Sequence, residues 1–321
     1  MTRSEIIGTV LALGLACGTS ACGPSSDCKC GGSDVNASIW GTVDGELMIA
    51  GYSGLERGQI KTFDGSAFST SEFFETPLWR GWGTSTSDYW VVGGSAGSAT
   101  VFHRIGGSVQ VWGVGGSNAP VTFARGIWGS AKDSVFVVGT DGGIAHFDGS
   151  IWTRQESPIE QDLHDVWGAA DDDVFAVGTG GALLHFDGSA WSEMEPPPEL
   201  SAEASLHAVW GSSSTDVFVV GETELEQSHV ILHYDGVGFS IVHEGDRGLL
   251  GVHGAGPDRV VAVGGKRAES GVEAEILSFD GNEWIEETTG AKTFLWDVWV
   301  DADGSGYTVV GPENTILRQG F

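Results

Sequence analysis

The chain has 321 residues, enough to bury a large core. Lys and Arg number 15 against 44 Asp and Glu, a formal net charge of −29, which excludes a broad phosphate-binding surface and with it a nucleic acid partner. With 51 Gly, 13 Trp and 15 Phe, glycine-rich turns between short Val, Phe and Trp runs read as packed all-β structure, neither disordered nor helical.

Residues 1–21 form the first expected unit. A short charged start precedes the apolar run Ile6 to Ala16. That run is too short to cross a bilayer, which takes about 20 residues, and suits the core of a signal peptide. Thr19-Ser20-Ala21-Cys22 follows and resembles the lipobox of bacterial lipoproteins. The resemblance implies an acylated Cys22 as the mature N-terminus, with Cys17 as second choice. Cleavage before Cys17 would leave almost no spacer after the apolar core. Several acyl chains together hold a soluble domain stably at a membrane. Gly23 follows Cys22 where an Asp would imply the inner membrane, so the resemblance implies the outer one. Residues 22–37 are rich in Gly and Ser, with a Pro at 24, and read as a flexible tether. Cys28 and Cys30 lie in it without nearby His or Cys partners, a poor metal set. No cysteine follows, so the rest of the chain is held by packing alone.

From residue 38 to 321 one pattern recurs seven times. Its anchors are Trp40, Trp82, Trp128, Trp167, Trp210, His253 and Trp299, spaced 39 to 46 residues apart. A glycine follows the anchor in six copies and Val300 in the seventh. A second run ends in Gly, as at Val137-Val138-Gly139. A third ends in Asp-Gly at Asp64, Asp148, Asp187, Asp235 and Asp280, and an aromatic such as Trp152 or Trp191 opens a fourth. Asp-Gly predicts a tight hairpin in which both central residues take positive φ. Four strands per period of about 43 residues predict a propeller blade, and seven such units predict a seven-bladed ring. One blade cannot bury both of its faces, whereas blades stacked around an axis can.

The pattern L-x-x-V-W-G, D-V-F-x-V-G, F-D-G-S-x-W resembles the β-propeller repeats of secreted bacterial lipoproteins, across nearly the whole mature chain. That resemblance implies the fold and no reaction. The last copy ends at strand three. Residues 30–37 are the alternative source of its outer strand, but they are poor strand formers, so an incomplete blade with an open edge is expected.

Candidate site residues come from breaks in the repeat. Loops between strands one and two are uniform, while those between strands two and three, and between blades, vary widely. The variable set emerges on one face of the disc, the face repeat proteins use for binding. Just before the anchors, at the expected channel mouth, stand Trp79, Arg80, Arg125, His164, Asp165, His207, Trp296 and Asp297. Trp and Arg are common binding anchors, although a solvated rim would look alike. His146, His185 and His233 share one repeat position and read as structural. The acidic stretch Asp301 to Gly306 reads as a turn, because Pro312 stands where a calcium loop needs a bidentate Glu.

No phosphate-binding loop, nucleophile elbow or zinc-protease motif is present, and no cofactor is implied. The expectation is a monomeric, non-enzymatic binding propeller tethered at the outer membrane, contacting a protein or surface glycan. The rival is a glycan-directed hydrolase using channel carboxylates.

Overall fold

The computed structural model describes residues 34–54, 57–95, 98–114, 121–224, 228–269 and 271–321. The expected signal peptide, residues 22–33 of the expected tether and all four cysteines (Cys17, Cys22, Cys28 and Cys30) lie outside the described residues.

Each repeat makes one antiparallel sheet, with strands in chain order from the axis outward. Blade one holds β1 (Val35–Gly41), β2 (Leu47–Ser53), β3 (Arg57–Phe63) and β4 (Phe68–Phe74). Blade two holds β5 (Leu78–Ser85), β6 (Asp88–Ser95), β7 (Ser98–Ile105) and β8 (Ser108–Val114). Blade three holds β9 (Ala124–Ala131), β10 (Ser134–Gly139), β11 (Ile144–Phe147) and β12 (Trp152–Arg154). Blade four holds β13 (Leu163–Ala170), β14 (Asp173–Gly178), β15 (Leu183–Phe186) and β16 (Trp191–Glu193). Blade five holds β17 (Ser205–Ser213), β18 (Asp216–Glu224), β19 (Ser228–Tyr234) and β20 (Phe239–Gly245). Blade six holds β21 (Gly248–Gly256), β22 (Arg259–Ala268), β23 (Gly271–Phe279) and β24 (Trp284–Glu286). Blade seven has three strands, β25 (Asp297–Val300), β26 (Gly306–Val310) and β27 (Ile316–Gly320). Inner strands touch in the cycle β1, β5, β9, β13, β17, β21, β25 and back to β1, which is a closed seven-bladed propeller.

The anchors explain five of the six glycines that follow them; at the first seam Trp40 lies instead on Gly81, two places before Gly83. The indoles of Trp128 and Trp167 lie against Gly168 and Gly211 of the next blade, where an added Cβ would come within 2.7 and 2.6 Å of the ring. Only a residue without a side chain lets the ring lie that close. Trp82, Trp210 and Trp299 repeat the arrangement on Gly129, Gly254 and Gly41, the last closing the ring. The sixth seam departs in both partners at once. His253 replaces the Trp and Val300 the Gly, and the Val300 amide donates to His253 Nδ1 at 3.1 Å. The smaller ring makes room for the valine.

The repeated histidines are structural plates, as expected, and His103 joins them. His185 and His233 bond Asp173 and Asp216 at 2.7 Å and lie on Phe175 and Phe218. His103 does the same with Asp88 and Trp90, its ring 3.7 Å from the indole, and His146 pairs with Ser134 and Phe136.

Two expectations are corrected. In the Asp-Gly hairpins only the glycine has positive φ, for example Gly188 at 86°. The Asp stands one place earlier, where its carboxylate accepts two amides: Asp187 Oδ1 takes Ser189 N at 2.9 Å and Ala190 N at 3.0 Å. Glycine at the first central position makes these turns the II′ kind. Second, β1 begins at Val35, inside the stretch read as tether. Val35 and Asn36 are buried, and Asn36 bonds blade seven through its amide (to Gly311 O, 3.1 Å) and its side chain (to Thr315 O, 3.1 Å). Tertiary pairing overrides the weak strand propensity. The segment thus joins blade one, and blade seven stays incomplete as expected. Lys61, 6% exposed, spans this seam from Asn36 Oδ1 (2.7 Å) to Asn314 Oδ1 (2.6 Å).

Candidate functional site

Inner strands β1, β5, β9, β13, β17 and β21 each carry a β-bulge near their start. The residues skipped by the pairing are Ala37, Trp79, Arg125, His164, His207 and Leu250. Trp296 stands at the same place just ahead of β25. A bulge leaves its extra residue out of the ladder and re-aims the side chain. The breaks seen in the sequence are therefore one structural device repeated around the mouth of the ring.

One place further on, Arg80, Asp165 and Asp297 meet across the axis. Arg80 Nη1 lies 3.0 Å from Asp297 Oδ2, and Nη2 lies 3.8 Å from Asp165 Oδ2. Their side chains are 19, 8 and 13% exposed, in the order Arg80, Asp297, Asp165. Asp297 Oδ2 also accepts the Ile39 amide at 3.0 Å, and Asp165 Oδ2 accepts that of Val209 at 3.1 Å. The triad thus ties blades two, four and seven together and reaches one and five. Burial raises the Asp165 pKa, with Arg80 opposing. Glycine at the matching position of blade three permits the convergence, since a Cβ on Gly126 would come 2.8 Å from Asp165 Cα.

The bulged side chains form the rim above this triad. Trp79 donates to Gly94 O at 3.2 Å and meets Tyr52 edge-on at 5.3 Å. Phe123 lies 6.5 Å beyond Trp79, with the Arg125 guanidinium over its ring at 5.7 Å. Arg125 reaches Asp162 at 3.4 Å, and Asp162 holds the Asp141 amide at 3.1 Å. Asp141 has φ 57°, left-handed for a non-glycine residue. His164 and His207 stack at 5.2 Å. Burial, then His207 and Arg125, lower the His164 pKa to about 3, so it is neutral and its Nδ1–H donates to Leu206 O at 2.9 Å. His207 Nε2 lies 3.4 Å from Glu222 Oε1. Trp296 is half-buried.

Arg80, Asp165 and Asp297 therefore form one ion cluster, and Trp79, Arg125, His164 and His207 run along one arc of the rim. Tyr52, Phe123, Asp162 and Glu222 also belong to it. Tyr52 and Glu222 each follow the glycine of strand two, and Phe123 and Asp162 each stand five residues before the anchor, two repeat positions beside the variable connections that the sequence reading did not single out. Among the described residues no three or more His, Cys, Asp or Glu side chains are placed to hold a metal ion. Asp303 Oδ1 accepts the Ser305 amide at 2.9 Å, as in an acidic turn.

No protein-family model and no curated protein matches the chain. Solved structures do. YCF48 bound to a D1 peptide superposes over 90% of this chain and 94% of its own, with 13% identity and a TM-score of 0.63. YCF48 from Cyanidioschyzon merolae gives 90% and 96%, 14% identity and 0.64. The extracellular domain of BT4673 from B. thetaiotaomicron gives 13% identity and 0.61, covering 89% of this chain and 38% of that one. At these identities the likeness shows the propeller fold and nothing finer.

Proposed function

We propose that this propeller is a non-enzymatic docking module, held at the outer membrane through acylated Cys22, that captures a segment of a protein at its bulged rim. The observation that carries the reading is the bulge ring. It takes Trp79, Arg125, His164 and His207 out of the ladder on the face where connections vary. Aromatic and guanidinium groups on a preformed backbone are the usual energetic centres of protein contacts. The peptide held by YCF48 supports a protein segment over a glycan, and the extracellular domain of BT4673 supports an envelope setting. The channel carboxylates Asp165 and Asp297 are engaged by Arg80 and by backbone amides, which favours docking over turnover. The test is capture from native membranes with the purified chain as bait. Replacing Trp79, Arg125 and Trp296 together by Ala should abolish capture of the partner while the melting temperature stays within a few degrees. Undiminished capture by this folded variant would overturn the reading.

A further inference from the structure

A second site lies at the perimeter, on the hairpin end of the disc and away from the rim. It emerges from one repeat position of the outer strands. Opposite the third-strand residues Ile60, Val101, Ile144, Leu183, Ile231 and Ile276 stand Glu72, Trp112, Gln155, Met194, His243 and Glu287. Five of these six close the seam to the next blade. Tyr89 donates to Glu72 Oε2 at 2.5 Å, Trp191 to Gln155 Oε1 at 2.6 Å, and Tyr307 to Glu287 Oε2 at 2.5 Å. Trp112 lies 5.6 Å from Phe147, and Met194 packs into the apolar cluster shared with blade five.

The seam between blades five and six is the exception. Trp284 sits there as Trp191 sits between blades three and four. Its ring is 5.8 Å and 80° from Phe218 and 5.2 Å and 34° from Phe279. Trp191 is 6.1 Å and 78° from Phe136 and 5.4 Å and 32° from Phe186. The matching geometry aims the Trp284 N–H at the place Gln155 fills in the other seam. His243 holds that place, but its ring stacks back on His229 at 5.2 Å and stays 6.5 Å from the indole. Trp284 Nε1 is therefore buried without an acceptor. Trp152 Nε1 lacks one as well, but there Trp112 covers the seam. A β-bulge also leaves Val242 out of the ladder and 43% exposed. The result is a cleft of about 730 Å³ floored by Phe218, Phe279 and Trp284 and edged by Val242, Asn282 and Glu283.

We infer that this cleft binds an uncharged N-acetylated sugar residue, whose acetamide oxygen accepts the Trp284 N–H and whose ring lies against the apolar wall. Gln155 supplies the template, since it offers a carboxamide oxygen to the matching indole. A buried unpaired N–H calls for an acceptor, which a bare ammonium group lacks. Glu283 and Asp216, both lining the cleft, repel an anionic ligand. Burial lowers the His243 pKa, so its imidazole adds no charge at pH 7. The volume is that of a small-molecule site, well beyond one amide side chain, and Asn282 and Glu283 stand ready for hydroxyl groups at its edge. This site is separate from the rim and does not depend on the docking role given to it.

The probe is methyl N-acetyl-β-D-glucosaminide, with methyl β-D-glucoside as its amide-free control, each titrated with the purified chain and followed by ligand-observed NMR. The N-acetylated sugar should bind with a millimolar dissociation constant, at least tenfold tighter than the control. Trp284→Phe keeps a ring and removes the N–H, and Val242→Arg lays a long side chain over the opening from an exposed position. Each should weaken binding at least tenfold while the melting temperature stays within a few degrees, and Val242→Arg decides alone should Trp284→Phe not fold. No binding at tens of millimolar, equal affinity for the two sugars, or undiminished binding by a folded variant would overturn the inference. So would N-acetylglutamine methylamide binding as tightly as the sugar, which would assign the cleft to a protein side chain.

Discussion

Replacing Arg80 by Met isolates what the axial ion triad contributes. Methionine keeps a long apolar stem but removes the charge. Asp165 and Asp297, 13 and 8% exposed, would then share the channel with no counter-ion. Removing one partner of a buried ion pair costs about 3–5 kcal/mol, because the remaining charge stays desolvated. For a chain of this size about 1 kcal/mol moves the melting temperature by about 2 °C, so the variant should melt about 6–10 °C lower at pH 7.5. The sign with pH follows from linkage. Burial already raises the Asp165 pKa, so the folded state takes up this proton more readily than the unfolded chain. Acid should therefore narrow the deficit, and Asp165→Asn in the same background should recover part of it. The assay is calorimetry at pH 7.5 and 5. A variant melting within about 1 °C of the parent, or a deficit that widens in acid, would refute the structural role given to the triad.

Three further outcomes follow from the seams and the buried histidines. His253→Trp alone should destabilise the ring by overpacking against Val300, by about 1–3 kcal/mol, and His253→Trp with Val300→Gly should restore the melting temperature by rebuilding the pair used at other seams. Lys61→Met should cost about 1.5–3 kcal/mol and speed hydrogen exchange in β1 and β27, since it strips a charged donor from Asn36 and Asn314 at the seam between first and last blades. Burial lowers His253 to about 3, and burial is also the leading cause that takes His164 to about 3 and His229 to about 4. Their contribution is fully present above the ordinary histidine value near 6.5 and is lost as pH falls from there towards 3–4. Melting temperature should accordingly fall in that window, more gently in His253→Gln, and a flat profile would contradict the burial of these rings.

The ring was readable in the sequence because its physics repeats. Each anchor tryptophan needs a bare backbone on the next blade, so Trp and Gly recur together at a near-constant spacing. The His253 and Val300 exceptions looked like two separate losses in the sequence, and space shows them to be one substitution. The site was only half legible. Trp79, Arg125, His164 and His207 stood out as irregular residues at one repeat position, but a bulge is a register event that composition does not announce. Nor could spacing reveal that Arg80, Asp165 and Asp297, from three distant blades, share one charge cluster. Tyr52, within β2, and Phe123, just ahead of β9, stayed hidden because their repeat positions hold unrelated residue types in most other copies and so show no pattern. The turn chemistry was misread for a local reason: Asp-Gly suits a turn with both residues in the left-handed region, yet these aspartates use their carboxylates to hold two amides and so stand outside it.

Site-specific photo-cross-linking in native membranes tests the docking role most directly. A benzophenone side chain would replace Trp79 or Trp296 at the rim in separate experiments, and in a third Val237, 91% exposed on a hairpin tip of the opposite face. A single partner cross-linked from both rim positions and not from Val237 is the outcome expected here. Adducts from Val237 with none from either rim position would contradict it.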